Sequence, residues 1–319
     1  MIQDKCLLAF SGGIDSTALF FKLLDTNTIF DIAIVDYGLR EQSKDEVAYA
    51  KELCNKYNKK CFVREFSSDI RFNENVARTF RYNFFEDIIK NENYTTLLTA
   101  HQLNDKLEWF LMQLGKGAGI SELIGLQESE KRNNYILKRP LLGFAKKELK
   151  QYLDTNNITY FIDQSNFDTK YKRNHIRQKY SDNFVEEYLD GIKRSFKYLQ
   201  QDNISLFDNI TVNTQQELTI FDYNGNNNIA IRLIDKELKK RGILISSATR
   251  EEILNQQEIV VSDKLAISIT KNKIFIAPKC NITMKKDFKE KCRLNHIPKN
   301  IRGYLYTIKH FYKVDELVN

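Results

Sequence analysis

The 319-residue chain has no run of 18 consecutive apolar residues and no C-x-x-C pair among its five cysteines. The first absence argues against a helical membrane span. The second, with the odd cysteine count, indicates neither zinc nor a disulfide framework, so Cys6, Cys54, Cys61, Cys280 and Cys292 read as free thiols. The opening MIQDK runs directly into an apolar stretch, which leaves no room for a cleavable leader, and a cytoplasmic location is expected. Internal repeats and low-complexity tracts are missing too. Neither the G-x-x-x-x-G-K-[ST] loop nor the G-x-G-x-x-G turn occurs, which excludes two familiar phosphate-binding glycine patterns.

A different glycine loop is present. Residues 7–21 read LLAFSGGIDSTALFF: an apolar run long enough for one buried strand, two glycines, then apolar residues recurring as in a helix packed on a sheet. The glycines mark the turn between them. Alone they fit a tight structural turn, but such a turn also presents backbone N–H groups and the positive end of the helix dipole to an anion, with no Cβ in the way. Ser11, Gly12, Gly13, Ile14, Asp15 and Ser16 are therefore candidate anion-binding residues, with Asp15 placed for a helix N-terminus or a metal ion. Net charge is +7, and basic clusters at residues 171–179 and 285–302 favour a polyanionic partner.

Strands alternate with helices along the first half. After the loop and its helix, residues 30–37 form a second strand, residues 43–57 an amphipathic helix, KCFVREF a third strand, residues 73–89 a helix and residues 95–100 a fourth strand. This pattern predicts an α/β fold with a doubly wound parallel sheet, whose ligands bind at the carboxyl ends of the strands. KKELKQYLDTN is helix-like, and a linking helix is expected near residues 183–200. From about Thr211 the texture changes: residues 218–223 and 265–278 look like strands, residues 231–241 and 248–256 like helices. A smaller α+β domain, 206–319, thus follows a nucleotide-binding and catalytic domain, 1–205.

Polar residues just after the strands are the candidate site. Asp36 ends the second strand, and a carboxylate beside a phosphate implies Mg²⁺ between them, with Asp15 and Asp36 as ligands. His101 ends the fourth strand. Asp105 and Glu108 follow at i and i+3, read either as ordinary first-turn acids or as groups that bind an ammonium or take a proton. Lys116, among the three glycines of LGKGAG, sits in a flexible loop or in a lid whose lysine meets negative charge. Arg78, Arg81 and Tyr82 are expected opposite a core face of Val76, Phe80, Phe84 and Ile88, as a solvated stripe or an RNA path.

SGGIDS after a strand resembles the pyrophosphate-binding loop of the ATP pyrophosphatases, or PP-loop enzymes. In order, SGGIDS, VDYGLR, ENVARTFRY, TAHQLNDKLE, LGKGAG, KRPLL and DQSNFDTKYKRNHIR resemble the tRNA(Ile)-lysidine synthetases over roughly the first 180 residues, and FKEKCRLNHIPKNIRGYL is similar to that family's terminal segment. The resemblance implies a ligase in which ATP adenylates the carbon-2 oxygen of the wobble cytidine of the isoleucine tRNA with anticodon CAU. Free L-lysine then displaces AMP through its ε-amine, so that the tRNA reads AUA instead of AUG. It implies a pyrophosphate cradle at Ser11–Ser16 and a carboxylate, Asp105 or Glu108, for the lysine α-ammonium. The sequence does not give the oligomeric state, and a homodimer is one assembly open to the chain. Asp163, Ser165, Asn166, Arg173, Asn174 and Arg177 match the family pattern and either shape the cytidine pocket or fasten the chain behind it. Tyr37 replaces the family's usual histidine, His101-Gln-Leu-Asn replaces an HHxD run, and Lys116 replaces arginine, which keeps the charge without the bidentate fork. A tRNA thiolase, an amidating ligase and a non-catalytic RNA-binding module are the competing readings.

Overall fold

The computed structural model describes residues 5–38, 42–66, 73–162 and 172–308. The chain divides into two compact units between Gln201 and Asp202.

The first unit runs β1 (Cys6–Ala9), α1 (Ile14–Asp25), β2 (Phe30–Asp36), α2 (Gln42–Lys56), β3 (Cys61–Glu65), α3 (Glu74–Glu92), β4 (Thr96–Leu98), α4 (Leu103–Leu114), α5 (Ile120–Leu123), β5 (Ser129–Lys131), β6 (Ile136–Lys138), α6 (Lys146–Thr155) and α7 (Lys172–Ile176). A π-helical turn, Arg177–Ser181, then leads into α8 (Asp182–Leu206). The sheet order is β3-β2-β1-β4-β6-β5, parallel except for the β5–β6 pair. It is the doubly wound α/β sheet, with one antiparallel edge.

β1 shows why so short a strand is stable at the centre. Its successive side chains point to opposite faces, and both faces are covered: Leu8 packs with Phe20 and Ile32, Leu7 with Phe84, Phe85 and Leu97. Both leucines are fully buried, worth about 1.5–3 kcal/mol each. Because β2 lies on one side of β1 and β4 on the other, the strand order reverses between β1 and β4, which opens a crevice at their carboxyl ends.

The side chain of Asn73 caps α3, accepting from Val76 N (2.9 Å), and a left-handed Asn93 ends it. The core face of this helix differs from the expected one. Phe84 and Ile88 are buried as expected, joined by Ala77, Phe85 and Ile89, whereas Val76 and Phe80 are half-buried. Tyr82 is half-buried instead of solvated: it packs against the Leu7 side of the core, edge-on to Phe85. A 19-residue helix lying across a twisted sheet buries a broader arc than one i+4 row.

The second unit carries an antiparallel sheet, β7-β8-β11-β10-β9, from β7 (Thr211–Gln215), β8 (Leu218–Asp222), β9 (Glu258–Val261), β10 (Leu265–Ile269) and β11 (Lys273–Pro278). Its helices are α9 (Asn227–Lys240), α10 (Ser247–Gln256), α11 (Lys286–Leu294) and α12 (Arg302–Ile308). Alternation places Ile267, Ile274 and Ile276 against α9 and α10, and Ala266, Phe275 and Ala277 against α11 and α12. Gly303 lets α12 touch the preceding chain: a Cβ there would lie 2.0 Å from the Cys280 carbonyl oxygen. Among the described residues no helix is long and apolar enough to cross a membrane.

Candidate active site

The glycine loop joins β1 to α1 at the crevice. Gly12 has φ +74°, a left-handed conformation open to glycine, and a Cβ there would come within 3.2 Å of the Phe161 ring. Phe161 N donates to Gly12 O (2.9 Å), and Gly13 bridges Phe161 in parallel, so a segment far along the chain holds the loop's shape. The hydroxyls brace it from within. Ser11 N donates to Ser16 Oγ (3.2 Å), Ser16 Oγ to Gly13 O (3.2 Å) and Thr17 Oγ1 to Gly12 O (3.1 Å). Gly13 caps α1 without a side-chain bond, so the first N–H groups of the helix are open to an anion.

Above the carboxyl ends of β1, β2 and β4 lies a cavity of about 470 Å³. Ser11, Gly13, Ile14, Asp15 and Ser16 form one wall. Tyr37, Arg81, His101, Asp105, Lys146, Arg173, Arg177 and Asp182 also line the cavity.

Two carboxylates and two guanidiniums form a compact cluster beside this cavity. Gln102 caps α4 through a capping box, with Asp105 Oδ2 accepting from Gln102 N (3.1 Å), which orients the acid. Asp105 Oδ1 accepts from Arg177 (3.0 Å) and Arg173 (3.3 Å). Glu108, one turn on, accepts from the Nε of both, at 2.8 Å for Arg177 and in close contact with Arg173. Burial pushes the Asp105 carboxyl up, but Arg177, His101 and Arg173 outweigh it and hold the group below the usual carboxylate range. For Glu108, whose side chain is 2% exposed, burial wins over the two arginines and its pKa is raised. Asp15 is pushed up to about 7, first by burial and then by the charge of Asp105, with Lys146 and Arg177 opposing. Its Oδ1 is out of contact with solvent and has no hydrogen-bond partner among the described residues. Burial pulls His101 down to about 4 against the attraction of Asp105, so its imidazole is neutral at pH 7. The His101 Nδ1 lies 3.0 Å from Thr99 Oγ1.

The other expected residues lie elsewhere. Asp36 turns back on its own loop, its Oδ1 accepting from Gly38 N (2.9 Å), and it does not line the cavity with Asp15. Lys116 is exposed beyond the end of α4, off the cavity wall. Arg78 is exposed and stacks over Tyr82 at 4.9 Å, whereas Arg81 reaches the cavity. Asn174 is half-buried on α7, outside the lining. Asp163, Ser165 and Asn166 lie outside the described residues. Three contributors carried no sequence signal of their own: Phe161, Lys146 and Asp182. Lys146 and Asp182 are ordinary-looking residues at helix starts, and Phe161 is an aromatic between polar stretches.

A doubly wound sheet whose first strand ends in a glycine loop at an open helix start is the frame of a nucleotide-binding protein, and residues 2–183 match the PP-loop domain family. Over 312 residues the chain is 42% identical to a tRNA(Ile)-lysidine synthase of Campylobacter jejuni, covering 96% of this chain and 94% of that one. It is 40% identical over 308 residues to one of Helicobacter pylori, covering 96% and 90%. The chain belongs to the tRNA(Ile)-lysidine synthase family. Among solved structures, a U34-tRNA thiolase, NcsA, of Methanococcus maripaludis is similar in fold, with a TM-score of 0.51 at 16% identity over 62% of this chain and 71% of that one.

Proposed function

We propose that this cavity carries out both halves of lysidine synthesis: ATP-dependent adenylation of the wobble cytidine of tRNA(Ile) with anticodon CAU, then displacement of AMP by lysine. The observation that carries the reading is that the anion-ready loop and the Asp105 carboxylate open on one cavity. The chain around that cavity matches tRNA(Ile)-lysidine synthases over nearly its whole length.

In the first step the cytidine oxygen on carbon 2 attacks the α-phosphorus of ATP, and pyrophosphate leaves with the bonding electron pair. The open N–H groups at the start of α1 are aimed at that developing charge. In the second step the lysine ε-amine, having given up a proton, attacks carbon 2, and AMP departs with the carbon-2 oxygen. Asp105 is the member of the acid pair that lines the cavity, so it is the carboxylate a lysine α-ammonium can reach, while Arg173 and Arg177 offer guanidiniums to the lysine carboxylate. Neutral His101 adds no positive charge to repel the incoming ammonium. The unpaired Asp15 Oδ1 is a hard oxygen donor that fits Mg²⁺ beside the phosphates. When bound with ATP, Mg²⁺ neutralises phosphate charge. The basic α11 in the second unit is read as a tRNA-binding element, and the enzyme as cytoplasmic.

Radiolabelled lysine, ATP and CAU-anticodon tRNA test the reading. Lysine-dependent AMP release and label in a modified cytidine are expected; absence of any lysine incorporation overturns it.

A further inference from the structure

Lys146 lines the cavity outside the carboxylate cluster. Lys146 opens α6, where Lys147 pairs with Glu186 and Lys150 with Asp154. Lys146 Nζ has neither a hydrogen bond nor an ion pair among the described residues, although its backbone is firmly held: Lys146 N donates to Asn104 Oδ1 (3.1 Å) and Ala145 N to Glu148 Oε2 (2.6 Å). The position is a poor one for the helix itself, because the dipoles of a first turn repel a cation. Neither Asp182 nor Asp15, which line the same cavity, takes it up. Asp182 accepts from Asn104 Nδ2 (2.7 Å), and the buried oxygen of Asp15 stays unpaired although Lys146 is the largest positive influence on it. A half-buried, unpaired ammonium lining the same cavity as Ser11, Asp15 and Ser16 is complementary to an anion held by the glycine loop.

The geometry points to Lys146 as the ammonium that meets the β- and γ-phosphates of ATP opposite the uncapped start of α1. This rests on the ATP reading of the loop. When the bond from the α-phosphorus to its bridging oxygen breaks, the electron pair passes to the pyrophosphate, and Lys146 stabilises the charge there. Lys116, the lysine that the glycine-rich stretch suggested for such a role, lies off the cavity.

The test titrates the full chain, with Mg²⁺ present, against ATP and against AMP. Lys146→Ala is expected to lose ATP affinity by about 10- to 100-fold, the loss of a charge-assisted contact, and to keep its AMP affinity. Lys146→Arg should restore most of the ATP affinity, and Lys147→Ala, next door but paired outward, should behave as wild type. In turnover, kcat/KM for ATP falls while KM for lysine is unchanged. Unchanged ATP affinity in Lys146→Ala, or an equal loss for ATP and AMP, overturns the assignment. A wild-type chain that binds neither nucleotide removes the ATP reading itself, and this proposal with it.

Discussion

Removing Glu108 tests the logic of the acid–arginine cluster most directly. The Glu108→Ala variant strips the Nε partner from both Arg173 and Arg177 and leaves Asp105, among the described residues, as the remaining carboxylate paired with each. Side-chain exposure is 2% for Glu108, 15% for Arg177 and 37% for Arg173. Breaking a buried pair by deleting one partner costs about 3–5 kcal/mol. Water takes over part of the job at Arg173, and Asp105 retains one contact to each guanidinium, so the expected loss is about 2–4 kcal/mol. For a domain of this size that corresponds to a fall of about 5–15 °C in melting temperature. The sole tryptophan, Trp109, sits next to Glu108 on α4, so its fluorescence follows this unit during urea or thermal unfolding. Arg177→Ala and the double variant complete a cycle, in which the double variant should lose less than the sum of the singles by about 1 kcal/mol or more. Additive losses, or a Glu108→Ala loss under about 0.5 kcal/mol, would refute the idea that the cluster acts as one buried unit.

Stability against pH should carry two opposed signatures. The folded pKa of His101, about 4, lies below the ordinary 6.5, so its contribution is lost as pH falls from about 6.5 to 4. That of Asp15, about 7, lies above 3.8, so its contribution is lost as pH rises from about 4 to 7. His101 is worth on the order of 3 kcal/mol and Asp15 on the order of 4 kcal/mol with the opposite sign, so the wild-type slope is muted in the shared window. His101→Gln should leave stability declining with pH and Asp15→Asn should leave it rising; denaturant midpoints that run parallel in all three chains contradict this. Gly303→Ala forces a Cβ onto the Cys280 carbonyl and should cost the second unit about 1–3 kcal/mol, read as lost amide protection in β11 and α12. Replacing Lys286, Lys289 and Lys291 on α11 by alanine should weaken tRNA binding and flatten its salt dependence; an unchanged affinity makes that helix purely structural.

Local signals were readable in proportion to how much of an element's fate is local. The switch from a continuous apolar run to helical periodicity around SGGIDS announced β1, the loop and α1, and the same switch recurs through β4 and α4. The β5–β6 edge went unread, because its strands are three residues each and SEK has neither alternation nor β-branched bulk. The expected strand at residues 265–278 is two strands, turned at Thr270, whose N–H donates to Lys273 O (2.8 Å). Tyr82 differs from the sequence expectation because a single i+4 row understates the buried arc of α3.

The amino-acid sequence by itself determined the order of elements, the class of sheet, the anion-binding character of the loop and the family, since each depends on residues close together along the chain or on their order. Tertiary structure decided which charges meet. Asp105 and Glu108 face Arg173 and Arg177, 65 to 72 residues away, and nothing in their spacing says that guanidiniums meet them. The same packing brings Lys146 to the cavity wall and leaves Asp36 and Lys116 off it, because a side chain's role follows from where the sheet's crossovers deliver it.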